Sequence, residues 1–297
     1  MEKRATLEEK AYQIWKDAHL PEYLHKYGPK RTPGWLIFLS YLEYQEHAKQ
    51  WRETAYFMID HYREDRHWTT WQKAISKWPQ WVWDAIMKAS AKYEGNCKLA
   101  GIDGTTFSRS NPSQHYLERI DRKEPVSQPI QSVILADLER RKFLSWRIRS
   151  RARGEKCDVP YLIEKCGKEL ETIIMDKGFD SNPLHVKIRE KGIWSIAPVR
   201  KRCKKGAYRK EMRDYFDWGI YGQRNIIEAM IGAVKRRYGS FVQACSARMQ
   251  RAEISMKFVA YNLKARLLVT TFYRAFQEGF KNKIAKGLKP PSCIQES

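Results

Sequence analysis

The stretch Thr172-Ile173-Ile174-Met175-Asp176-Lys177-Gly178-Phe179-Asp180-Ser181-Asn182-Pro183 reads as a strand, a loop and the start of a helix. Thr172 to Met175 is a short apolar run of strand length, and Asp176 ends it. Pro183 falls in a first helical turn, where its missing N–H has no intrahelical partner to lose. That helix is predicted to run to Arg189 or Lys191 and to close at Gly192, with Asp180 as its cap rather than a metal ligand. Upstream, Pro160 to Leu170 reads as a helix. Lys98 to Ile102 is a short strand with Asp103 at its end, and Gln131–Ala136 and Lys142–Ile148 are two strands joined by a short turn. Downstream, Ile193 to Ala197 is a further strand. Three strands, a helix, a strand, a helix and a strand predict an α/β (α+β) fold, a mixed sheet flanked by helices.

The first 96 residues read as all-helical. Residues 6–20 place Ala11, Ile14, Trp15 and Ala18 at helical spacing, a Gly/Pro loop follows, a helix starts near Trp35, and another covers 50–62. Thr69 or Thr70 can cap a short helix that runs to Trp78 and stops at Pro79. On it Trp71, Ala74, Ile75 and Trp78 face inward while Thr70, Lys73 and Lys77 face out. This resembles a helix-turn-helix that offers its second helix to a DNA groove, although a packing or dimerising helix has the same pattern. Trp68, Trp71, Trp78, Trp81 and Trp83 are expected in the core.

Charge is distributed unevenly. Of a net +22, residues 1–97 contribute 15 Lys/Arg against 13 Asp/Glu, and the remainder 41 against 21. Arg140, Arg141, Lys142, Arg147, Arg149, Arg151 and Arg153 run without an acid between them. Between Arg200 and Arg213 only Glu211 interrupts a second basic group. Such density suits a polyanion, with salt-dependent binding. With 13% aromatics the chain is not a disordered basic tail. The longest apolar run, Trp35 to Leu39, is far short of the roughly 18 residues of a membrane span, and the N-terminus lacks the apolar core of a secretory signal. The six cysteines have no C-x2-C spacing, which leaves a zinc ribbon unsupported and suggests reduced thiols.

Tyr221-Gly222-Gln223-Arg224-Asn225-Ile226-Ile227-Glu228-Ala229-Met230-Ile231-Gly232-Ala233-Val234-Lys235 carries the chemistry. At about 100° per residue, Tyr221, Arg224, Glu228 and Lys235 share one arc of about 60°, and Ile226, Ile227, Met230, Ile231, Ala233 and Val234 lie opposite. One face can pack on a sheet while the other displays a phenol, a guanidinium, a carboxylate and an ammonium. By geometry alone, an amphipathic helix with an intrahelical Arg224–Glu228 pair is the simpler reading. Asp103 and Asp176, taken singly, are ordinary turn residues.

Taken together, the three motifs resemble the insertion-sequence DDE transposases. The Tyr-x2-Arg-x3-Glu-x6-Lys hallmark of that family is complete as Tyr221, Arg224, Glu228 and Lys235. Its first Asp matches Asp103 in Ile102-Asp103-Gly104-Thr105-Thr106, and its D-x-G-[YF]-D-S stretch matches Asp176 to Ser181. The resemblance covers roughly residues 97–265. It implies a ribonuclease H-like catalytic domain over 97–280, a DNA-end-binding helical domain over 1–96, and a disordered tail over 281–297. It implies Asp103, Asp176 and Glu228 as catalytic residues and ligands of two Mg²⁺ ions, which Mn²⁺ can replace. Tyr221, Arg224 and Lys235 are implied as phosphate contacts. The implied partner is double-stranded DNA, bound by a homodimer without membrane attachment in a prokaryotic, nucleoid-associated cytoplasmic setting. Only 51 residues separate Asp176 from Glu228, which leaves no room for the β-rich insertion of some relatives, so a hairpin intermediate is not carried over.

Arg200, Lys201, Arg202, Lys204 and Lys205, in a basic loop over 200–213, are placed to track DNA, as are Lys73 and Lys77 in the helical region. Trp194 and Trp218 are expected in the core rather than stacked on a base, and His115 reads as structural. Two other functions share this sequence pattern. One is a transposase-derived DNA-binding protein without catalysis, and the other is a ribonuclease H-like nuclease without strand transfer.

Overall fold

Thr6 starts the first helix, α1 (Leu7–Asp17), with a reciprocal capping box. Its hydroxyl accepts from the Glu9 N–H at 3.2 Å, and the Glu9 carboxylate accepts from the Thr6 N–H at 2.7 Å. The computed structural model describes residues 6–24, 32–48, 50–109, 118, 119, 121, 128–151, 153–201 and 205–264. His115, Arg202, Lys204 and the expected tail lie outside them. Helix α2 (Gly34–Glu43) passes into a π-helical turn, Tyr44–Ala48, and is followed by α3 (Trp51–Tyr62), α4 (Trp68–Ser76) and α5 (Gln80–Ser90). Helix α4 differs from expectation at both ends. The His67 ring, not the side chain of Thr69 or Thr70, caps the start of α4 by accepting from the Thr69 N–H, and Pro79 caps α5 after α4 has ended. Trp71, Trp78 and Trp83 are buried, but Trp81 is 52% exposed. It lies off the face of α5 that buries Val82, Trp83, Ile86 and Met87.

The sheet comprises β1 (Cys97–Arg109), β2 (Ile130–Asp137), β3 (Lys142–Arg149), β4 (Leu170–Met175) and β5 (Trp194–Ile196), in the order 3-2-1-4-5, with the short β6 (Phe241–Val242) beside the end of β1. Strands β1, β2 and β3 pair antiparallel, and β4, β5 and β6 join in parallel. This is the expected mixed sheet flanked by helices. Strand β1 is longer than its sequence suggests. Asp103 lies inside it rather than at its end, because pairing to β2 continues from Asp103↔Ile134 to Phe107↔Ile130. Helix α6 (Val159–Lys165) stops short of the predicted Leu170, which already belongs to β4. Gly167, at φ +64°, turns the chain between them.

Side chains alternate across the sheet. Ala100, Ile102, Val133, Leu135, Leu144, Ile173 and Met175 face α6 and α7 (Asn182–Arg189). Leu99, Phe107, Ile130, Ile134, Phe143 and Ile174 face the opposite way. They share a continuous core with the N-terminal helices, with α10 (Asn225–Tyr238), and with the helical residues 247–264, here α11. Between these elements lie α8 (Ala207–Asp214), where the sequence suggested loop, and the four-residue α9 (Trp218–Tyr221). Helix α10 crosses β1 closely at Gly101. A Cβ there would stand 2.9 Å from Leu138 Cδ2 and 3.4 Å from Ile227 Cγ2.

Two consequences can be measured. Gly101→Val should cost about 1–3 kcal/mol, because the added methyls must displace Leu138 and α10. A lowered denaturation midpoint with unchanged slope is the expected result. His185 of α7 is fully buried, its Nδ1 is 2.8 Å from Ser195 Oγ, and burial pushes its pKa down to about 4. An unfolded imidazole takes up its proton near pH 6.5, so between about 6.5 and 4 the unfolded state holds more protons. Stability present above pH 6.5 should therefore fall by about 3 kcal/mol as pH drops to 4. His185→Asn should flatten that part of a denaturation-versus-pH curve.

Candidate active site

Strand register positions the first two acids. In the parallel β1–β4 ladder Ile102 pairs with Met175, so Asp103 and Asp176 follow at one level. Strand β4 ends there and enters a 3₁₀ turn, Lys177–Phe179, while β1 continues. Asp103 lies an even number of residues from Gly101 and Phe107, which puts it on the same face, the one covered by α10. Ile227 sits over Gly101, and Glu228 is the next residue of that helix. Helix α10 buries Ile227, Met230, Ile231 and Val234 against the sheet, leaving Glu228 half-exposed and Lys235 with its ammonium 5.6 Å from the Phe107 ring centre. The hallmark stretch is not one continuous helix. Tyr221 ends α9, and Gly222–Arg224 is a 3₁₀ turn.

The charges of this group act on one another. Burial raises the Asp103 pKa to about 6, and the Glu228 and Asp176 carboxylates push the same way. The Gly104 N–H, which donates at 2.9 Å, and Arg224 oppose them. Burial works against the Arg224 charge, yet Asp176, Glu228 and Asp103 hold its pKa above the usual value. Its Nη2 is paired with Glu228 Oε1, and its Nη1 is 4.0 Å from Asp103 Oδ1. Burial pushes the Tyr221 phenol up and the Lys235 ammonium down, with Asp103 opposing the latter. Three carboxylates offer the hard oxygen donors that Mg²⁺ and Mn²⁺ take, so the donor chemistry fits. Among the described residues no group of three or more His, Cys, Asp or Glu is arranged to close round a metal. The Arg224 guanidinium instead pairs with Glu228 and stands 4.0 Å from Asp103.

Several sequence expectations change. Asp180 does not cap α7. It is buried, its Oδ1 accepts from Arg209 Nε at 2.6 Å, its Oδ2 accepts from the Arg200 N–H at 3.0 Å, and its carbonyl accepts from Lys156 Nζ at 2.9 Å. It fastens the basic segment to the loop after β4, a role hinted at only by a lone acid followed by many cations. Much of the first basic group also works internally. Arg149 makes a two-oxygen contact with the buried Asp158, Arg147 lies 3.4 Å from the same carboxylate, and Lys142 donates to the Ser90 carbonyl. Arg200, Lys201 and Lys205 are exposed, as are Lys73 and Lys77 on the outer side of α4. Trp194 and Trp218 are not core residues, being 51% and 71% exposed. Trp194 starts the edge strand β5 under the Arg189 guanidinium, and Trp218 opens a helix that buries nothing, edge-on to Phe216.

Among the described residues no helix is long and apolar enough to cross a membrane. No curated protein matches the chain. Among solved structures it is similar to a piggyBac transposase synaptic complex with hairpin DNA, at 9% identity over 95% of this chain and 73% of that one, TM-score 0.47. It is also similar to a simian T-cell lymphotropic virus intasome in complex with the PP2A regulatory subunit B56 gamma, at 10% identity over 71% of this chain and 70% of that one, TM-score 0.27. Residues 100–263, more than half of the chain, match the sequence profile described as transposase DDE domain, a span that takes in Asp103, Asp176 and Glu228. On that match, the chain belongs to the transposase DDE domain family.

Proposed function

We propose that the protein is the transposase of an insertion sequence, cutting DNA at the element's ends and joining the freed end to a target, with Asp103, Asp176 and Glu228 as its catalytic acids. One observation carries this reading. The β1–β4 register levels Asp103 with Asp176, and Arg224, paired with Glu228 on α10, stands 4.0 Å from Asp103, which supports this reading. These carboxylates would hold divalent magnesium or manganese, which supplies Lewis-acid stabilisation and an activated water for in-line displacement. Water attack on a phosphodiester breaks one P–O bond and leaves a 3′-hydroxyl. That hydroxyl then attacks a target phosphodiester, forming one P–O bond as another breaks, so no Ser or Cys nucleophile is required. Arg224 binds phosphate oxygens with its two-pronged fork, Lys235 adds a point charge, and the Tyr221 hydroxyl donates a further hydrogen bond.

Double-stranded DNA reaches the site along Arg200, Lys201 and Lys205, with Arg202 and Lys204 between them in sequence. Residues 1–96 bind the element's ends, with Lys73 and Lys77 of α4 turned to the DNA, and residues 97–280 carry the chemistry. A homodimer would hold two ends together.

Asp103→Asn, Asp176→Asn and Glu228→Gln should each lower Mg²⁺-dependent cleavage of end-bearing DNA by on the order of 10³-fold or more while changing DNA affinity little. A variant that cuts normally removes its residue from the set. Cut ends that never join a target plasmid would point to a nuclease instead. Replacing Lys201 and Lys205 together by Ala should reduce the slope of log affinity against log salt by up to about 2, as read by titration at several salt concentrations.

A further inference from the structure

Arg224 reaches beyond its own stretch of chain. Its guanidinium pairs with Glu228, stands 4.0 Å from Asp103 on β1, and feels Asp176 at the end of β4. A surface pair four residues apart contributes little and leaves other elements alone. Here one cation serves acids from three elements and is itself mostly covered, with a side chain 21% exposed. Three carboxylates drawn together without a counter-charge would repel one another, and more strongly as the site loses water. The guanidinium supplies that counter-charge from within the chain.

Resting on the reading above, we propose that Arg224 is a resident cation that occupies the acidic site in the DNA-free protein, and that a substrate phosphate must draw it away before divalent metal is held tightly. The guanidinium and a divalent metal compete for the same carboxylate oxygens. The guanidinium fork also suits phosphate as well as carboxylate, so a DNA phosphate at the mouth of the site offers it an alternative partner. Removing Arg224 from the acids leaves their oxygens to a metal, and a bound metal leaves Arg224 to the phosphate. DNA and metal therefore strengthen each other's binding by the same factor, as linkage requires. The DNA-free protein holds its acids stabilised but not armed, which limits cutting of DNA that does not reach Arg224.

The test is Mn²⁺ binding to the full-length, DNA-free protein, read by calorimetry and by the EPR signal of free Mn²⁺. Arg224→Gln should raise Mn²⁺ affinity by on the order of 5-fold or more, the lower end of ordinary coupling. Arg224→Lys keeps a charge but loses the fork, and should lie between wild type and Arg224→Gln. Adding Asp103→Asn to Arg224→Gln should abolish the gain. Unchanged or weaker Mn²⁺ binding in Arg224→Gln, with binding still lost in Asp103→Asn, overturns this inference and leaves the acids as metal ligands. Mn²⁺ binding indifferent to Asp103→Asn, Asp176→Asn and Glu228→Gln overturns the reading of the site itself, and this inference with it. Thermal melts of both Arg224 variants check folding, and either variant alone decides the outcome.

Discussion

The parallel pairing of β1 with β4 is the constraint on which the site depends. Backbone hydrogen bonds between Cys97–Ile102 and Leu170–Met175 hold two strands whose partnership is invisible to either alone. Both faces of β1 are covered, so its register is strongly specified. A slip by one residue would turn Ile102 from its core toward α10 and Asp103 into apolar packing. The same register sets the level of Asp176, and the alternation of β1 decides that Asp103 faces α10. Glu228 then depends on how closely that helix approaches, which the missing side chain of Gly101 permits.

A chain with net charge +22 must also manage its own repulsion. It does so in part with a few covered acids that each take a cation together with a further donor. Asp158 takes Arg147 and Arg149, Asp180 takes Arg209 and the Arg200 backbone, and Glu46 takes Arg237 and the Tyr238 hydroxyl. Each links elements distant in sequence, and the last ties the end of α10 to the π-helical turn of the N-terminal region. Among the exposed cations, the side chains of Arg200, Lys201 and Lys205 face solvent, where phosphates can reach them. Basic density in sequence therefore overstates the basic surface, because the cations between Arg140 and Arg149 in part serve the interior.

The acidic site follows the same pattern with one difference. At Asp158 and Asp180 the acid is buried and the cations surround it. At Arg224 the cation is the shared member, paired with Glu228, 4.0 Å from Asp103 and under the influence of Asp176. A guanidinium can serve more than one carboxylate at once, because its charge is spread over a planar group with several donors.

Much of this was legible in the residues. Apolar runs of strand length, the strand–loop–helix pattern around Asp176 and the amphipathic face of α10 depend on local periodicity, and each appears in the structure close to where it was expected. The length of β1 was not legible, since Asp103-Gly104-Thr105 reads as a strand end until β2 and β6 pair with it. Asp180 looked like a cap because local geometry favours one, and a long-range contact with Arg209 won instead. Trp194 and Trp218 looked like core because tryptophan usually is, but which side of an edge strand or short helix faces solvent depends on what packs against it. By itself the sequence determined the element types, the charge and the spacing of the acid-bearing motifs, since these follow from near neighbours along the chain. Only the tertiary structure decided that Asp103 stands level with Asp176 and that Arg224, paired with Glu228, comes within 4.0 Å of Asp103, because strand register and helix approach are set between segments the chain does not place side by side.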